Sequence, residues 1–104
     1  MDTLLEIENN PKIQLYSQGE KIRHVIEIVN DRIQLSRYDL NDSILFRYTF
    51  NKNKLMHYGF EMIKVKKRKR YILFMDLATN VSLTINNLVY DDVTSAYDFL
   101  SENI

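Results

Sequence analysis

The chain contains no cysteine and no tryptophan, and it has only two glycines and one proline in 104 residues. Without cysteine there is no disulfide, no thiolate nucleophile and no cysteine-ligated zinc. That absence fits a reducing compartment, and a cytoplasmic location is expected. No apolar run approaches the roughly 20 residues a membrane-spanning helix requires, so no transmembrane segment is expected. Met1-Asp2-Thr3 opens the chain without a basic region, so no signal peptide is expected either. The glycosylation-type triplets Asn41-Asp42-Ser43 and Asn80-Val81-Ser82 then read as coincidence.

Recognisable chemistry is also scarce. Neither His24 nor His57 has a second histidine or an acid at metal-ligand spacing, so each reads as a packed or surface residue. Gly19 and Gly59 stand alone, and no glycine-rich loop can cradle a phosphate. Asp39-Leu40-Asn41-Asp42-Ser43 begins like a calcium loop, but it lacks the required glycine and places Phe50 where the bidentate glutamate belongs. It reads as a turn. No nucleophile elbow occurs. The expectation is a non-enzymatic domain with no catalytic residue, no metal site and no cofactor.

What is present is 45% apolar residues, enough for one core in a single domain spanning 1–104. Asparagine and aspartate do most of the turning, because they tolerate left-handed backbone and bond to nearby backbone groups. Candidate turns are Asn9-Asn10-Pro11, Gln18-Gly19, Asn30-Asp31, Asn41-Asp42, Asn51-Lys52-Asn53, Thr79-Asn80 and Asn86-Asn87. The segments between them alternate in hydropathy, as half-buried strands do. Ile44, Phe46, Tyr48 and Phe50 share one face, and so do Tyr71, Leu73 and Met75. Ile72 and Phe74 make the other face of that last strand apolar too. The expected strands are 12–17, 21–29, 32–38, 43–50, 54–60, 61–67, 70–76 and 80–86. Residues 3–8 fit either a strand or a short helix. At the end of the chain Val93, Ala96, Tyr97, Leu100 and Ile104 trace one face of a helix, with Asp91 or Asp92 as its N-cap. The fold class is therefore mainly β: an antiparallel roll or barrel of about seven to eight strands with one C-terminal amphipathic helix.

That order of elements resembles the pleckstrin-homology-like architecture over residues 12–104. The resemblance implies two sheets forming a barrel, with the helix plugging one end. The helix tryptophan usual in that family has no counterpart here, and the basic residues lie in a late hairpin rather than the first. The resemblance therefore implies an architecture and no binding residues.

Charge is sorted along the sequence although it sums to zero. Residues 43–75 hold nine bases against one acid, whereas residues 76–104 hold five acids and no base. The basic density peaks at Lys64, Lys66, Lys67, Arg68, Lys69 and Arg70, followed by Tyr71. On the strand reading this run is a hairpin tip, and such a tip attracts a polyanion or an acidic partner surface. Tyr71 and Tyr58 could add stacking. The bland alternative is neutralisation by Asp91, Asp92, Asp98 and Glu102 of the chain's own helix, within a monomer or across a homodimer.

The leading functional expectation is a binding domain acting through protein–protein contact, of an inhibitor, immunity or adaptor type. Heavy use of Ile, Asn, Lys and Tyr, whose codons are A/T-rich, fits a phage or mobile-element source. The alternatives are a nucleic-acid-binding module using the basic hairpin 64–70 and, third, peripheral binding to an anionic membrane.

Overall fold

The structure is a computed structural model that describes residues 10–104. The segment 3–8 and the first residue of the Asn9-Asn10-Pro11 turn lie outside those residues. Seven strands follow in order: β1 (Lys12–Tyr16), β2 (Arg23–Val29), β3 (Arg32–Tyr38), β4 (Ile44–Asn51), β5 (Leu55–Val65), β6 (Arg68–Leu77) and β7 (Ser82–Leu88). A single-turn 3-10 helix over Lys52–Lys54 joins β4 to β5, and α1 spans Tyr90–Asn103. All pairings are antiparallel, and the strands form a four-stranded sheet β1-β2-β3-β4 and a three-stranded sheet β5-β6-β7. The mainly β class is as expected. Among the described residues no closed barrel is found, however, because neither β1 and β7 nor β4 and β5 share a ladder.

The two sheets and the helix meet over one core. The first sheet contributes Leu15, Ile26, Ile28, Ile33, Leu35 and Phe50. The second contributes Leu73, Met75, Leu77, Leu83, Ile85 and Leu88. These positions alternate along their strands, as the pleat requires, except that Leu88 falls three residues after Ile85, beyond Asn87. Val93, Ala96 and Leu100 of α1 are fully buried against them. The hydroxyls of Tyr58 and Ser101 lie 2.9 Å apart, and Lys52 Nζ donates to the Asn103 carbonyl at 3.1 Å. At the other end of α1 the Tyr90 ring meets Tyr71. The helix therefore runs antiparallel to β5, with its N-terminus toward the β5–β6 turn.

Four local expectations need correction. Segments 54–60 and 61–67 are one continuous strand, β5, and not two. Within that strand a Cβ at Gly59 would lie 3.2 Å from Phe74 Cζ on the neighbouring strand, so the glycine accommodates a ring. Asn86-Asn87 lies inside β7, where Asn87 has φ 59° and the β6–β7 register shifts. The N-cap of α1 is Val89, which makes no side-chain capping bond. Asp91 and Asp92 sit instead within the first turn, where a carboxylate still suits the helix dipole. Finally, Tyr97 and Ile104 are 37% and 49% exposed, and partly buried Phe99 packs against the core instead.

Loops alternate between the two ends of the molecule. One end holds the β2–β3 turn, the 3-10 turn and the β6–β7 turn, tied together by Lys52 N to Asp31 O and Ala78 N to Lys54 O, both 2.8 Å. The opposite end gathers the β1–β2, β3–β4 and β5–β6 connections. All the bases of 64–70 lie at that end.

Candidate functional site

The basic run lies at the tip of the β5–β6 hairpin, as its sequence suggested. Val65 and Arg68 form the last cross-strand pair, leaving Lys66-Lys67 as a two-residue turn. Both turn residues have positive φ, 52° and 68°. That is the conformation of a type I′ turn, whose twist matches the flanking strands and which favours Asn-Gly. Elsewhere among the described residues, positive φ is carried by Gly19, Asn30, Asp42, Asn80 and Asn87, all of types suited to it. Only the hairpin tip uses lysine.

The hairpin outruns its sheet. The last β6–β7 pair is Tyr71 with Leu88, so residues 63–70 continue as a two-stranded ribbon with no third strand. At about 3.3 Å per residue, this arm projects roughly 12 Å past the end of β7. Alternation sends Lys64 and Lys69 to one face and Arg68 and Arg70 to the other. Lys64 and residues 66–69 are exposed, and Arg70 is partly so.

No carboxylate among the described residues forms an ion pair with any of these six bases; the ion pair there is Arg23–Asp42 at 2.7 Å. Arg70 donates only to the adjacent Lys69 carbonyl, at 2.9 Å. The acids of α1 therefore make no ion pair with the arm. The antiparallel course of the helix explains the separation for Asp98 and Glu102, which follow the level of Tyr58 rather than that of the tip.

The tyrosines at the foot of the arm are already engaged. Tyr71 packs edge-on against Phe60 and Tyr90, with ring centroids 6.1 and 5.5 Å away. Tyr58 packs on Tyr97 at 5.3 Å. These contacts fasten α1 to the sheet.

A second polar cluster, invisible in the sequence, spans the gap between the sheets. Ser17 donates to the Asn86 carbonyl at 2.7 Å, so its oxygen accepts from His24 Nε2 at 2.9 Å. Arg37 Nε faces His24 Nδ1 at 3.4 Å, and Arg37 Nη2 donates to the Thr84 carbonyl at 2.6 Å. Gln18 N adds a bond to the Asn87 carbonyl at 2.8 Å. Side chains and one loop amide thus cap the free edge of β7 where a barrel would have had a backbone ladder. Burial, with the Arg37 charge behind it, lowers the His24 pKa from the ordinary 6.5 to about 4. The imidazole is neutral, and its Nε2 is occupied as a donor. Burial also lowers the pKa of Arg37, while the Glu20 carboxylate opposes that shift. His57 is exposed. Among the described residues no group of three or more His, Asp or Glu could hold a metal ion, and no helix is long and apolar enough to cross a membrane.

No family model, no curated protein and no solved structure matches this chain.

Proposed function

We propose that the domain binds nucleic acid, gripping the phosphate backbone of a duplex with the β5–β6 arm. The supporting observation is the lysine turn at the tip. Left-handed backbone costs a lysine on the order of 1 kcal/mol more than it costs Asn or Gly. At the other such positions among the described residues the chain has Asn, Asp or Gly, so the two charges are kept here against local preference. The ribbon also carries cations on both faces. That suits a groove with phosphates on two walls, and the major groove of duplex DNA is wide enough for a two-stranded ribbon. A flat partner surface would use one face only. With Tyr58 and Tyr71 packed against other rings, backbone contact is favoured over base stacking.

The test is anisotropy of a short labelled duplex across a salt series. Wild-type affinity should fall steeply with salt. Replacing Lys67, Arg68 and Lys69 by Ala should weaken binding on the order of a hundredfold at low salt and flatten the salt slope by about 3. The melting temperature should not change. Equal affinity in a folded variant would falsify the reading. Recovery on anionic but not neutral vesicles, without duplex binding, would move the arm to the membrane reading.

The protein-contact reading draws on a different surface. Tyr16, Leu40, Ile44 and Leu45, near the β3–β4 turn, are 54%, 70%, 52% and 54% exposed. Neighbouring exposed apolar side chains are a feature of partner contacts. Under this reading a captured partner is lost on Leu40→Asp with Leu45→Asp and kept by the arm variant. The reverse pattern would remove it.

A further inference from the structure

Between the arm and the β1–β2 loop lies an open cleft of about 690 Å³. Val65, Lys66, Arg68 and Arg70 form its arm side, and Gln18, Gly19 and Asn87 form the other. Val65, Arg68 and Arg70 fall on one face of the ribbon because Val65 pairs with Arg68 and Ile63 with Arg70. The opposite wall is fixed by Gln18 N to Asn87 O at 2.8 Å and by Ser17 Oγ to Asn86 O at 2.7 Å. Gly19, at φ 82°, would have nothing within 4 Å of a Cβ, so the loop backbone there is unobstructed.

The lining has three cations, two side-chain amides and no acid. None of the three cations is paired with a carboxylate among the described residues. Glu20 belongs to a separate cavity, lined also by His24 and Arg37. A concave site with this charge selects a compact dianion or larger, and two arginines offer forked donors that match phosphoryl oxygens. The volume lies within the range of small-ligand sites, roughly 300–1,000 Å³.

We infer that this cleft is a phosphate seat, in which Arg68, Arg70 and Lys66 hold phosphoryl oxygens against the amides of Gln18 and Asn87. The phosphoryl group comes from a duplex backbone or from a soluble polyphosphate. The first source rests on the nucleic-acid reading above, and the second does not. A backbone phosphate held here would fix how the arm enters the groove, which cations on a free ribbon cannot do.

Inorganic pyrophosphate is the probe, followed by backbone amide shifts in the full chain. Saturable shifts at Gln18, Gly19 and Asn87 are expected. Gln18→Glu removes no base from the arm and places an acid in the cleft; it should weaken pyrophosphate about three- to tenfold at low salt, and the labelled duplex equally. Asn87→Asp serves as the second variant should Gln18→Glu melt early, since aspartate tolerates positive φ. Pyrophosphate binding that is weakened by Gln18→Glu, with no duplex binding at all, supports the seat with a soluble source while the arm reading fails. Duplex binding of equal strength in wild type and Gln18→Glu, with the loop amides unmoved by pyrophosphate, overturns the seat and leaves the arm reading standing.

Discussion

Three arginines of the first sheet, Arg23, Arg37 and Arg47, and the bases of the arm are opposites in their surroundings. Arg23 meets Asp42 at 2.7 Å, Gln14 at 3.3 Å and the Tyr38 ring at 4.4 Å. Arg47 donates to Ser36 and to the Tyr38 hydroxyl, and Arg37 bridges to Thr84 while its guanidinium lies 4.8 Å over the Phe46 ring. Among the described residues, the side chains of the six bases at 64–70 have one hydrogen bond between them, and it goes to an adjacent carbonyl. A guanidinium with several fixed partners holds structure together. A cluster of like charges with no counter-ion raises the local potential and attracts an opposite one. The difference teaches that these three arginines and the arm bases differ by partner, which their count could not show.

The sharpest way to test the first-sheet side of that comparison is acid. His24 takes up a proton in the unfolded chain near pH 6.5 but in the folded chain only near pH 4. Its contribution to stability is therefore complete above 6.5 and is lost as pH falls toward 4. The loss should reach about 3 kcal/mol at most. Denaturant titrations across that window should show a steeper decline for wild type than for His24→Gln. Parallel curves would break the assignment of a buried neutral imidazole.

Next comes Arg37→Ala, which uncaps the Thr84 carbonyl and removes the neighbour of His24. It should cost about 2 kcal/mol, and chemical denaturation should report it. Duplex affinity should be unchanged, the reverse of the arm triple variant. A single substitution that moved both quantities would collapse the comparison.

A smaller effect of opposite sign is expected at the tip. Lys66→Asn with Lys67→Gly relieves the left-handed lysines and should stabilise the fold by about 1 kcal/mol. It should weaken duplex binding at the same time. Thermal melts showing no gain would mean the turn carries no strain.

The smallest effect is expected from Asp98→Lys with Glu102→Lys. These side chains are exposed and form no ion pair with a described base, so stability should move by less than about 0.5 kcal/mol even at low salt. A large low-salt loss would restore the neutralisation of the arm by the helix.

Local patterns made much of the fold legible. Alternation located six strands closely, because a strand buried on one face must alternate. Asn30-Asp31, Asn41-Asp42 and Thr79-Asn80 marked real turns, where their residue types fit positive φ or, at Asn41-Asp42, where Asp39 Oδ1 accepts from the Asn41 and Ser43 amides. The break placed between 60 and 61 failed because β5 pairs with β6 straight through that point, Phe60 with Leu73 and Glu61 with Ile72, and that pairing is set by another strand. The bases of the arm were legible as a charge run, but their lack of partners was not. Gln18, Gly19 and Asn87 carried no signal as lining for a site.

By itself the sequence determined the class of fold, the position of the terminal helix and the tip of the basic hairpin, because each follows from periodicity or density within a few residues. The tertiary structure decided what depends on distant segments meeting. It kept the two sheets from closing into a barrel and bridged them through Ser17, His24 and Arg37. It also laid α1 antiparallel to β5, which sets Asp98 and Glu102 away from the arm, and among the described residues it left the acids of the helix without an ion pair to the arm's bases. The reason is physical: hydropathy and turn chemistry act through near neighbours, whereas pairing of charges and capping of a strand edge are set by packing.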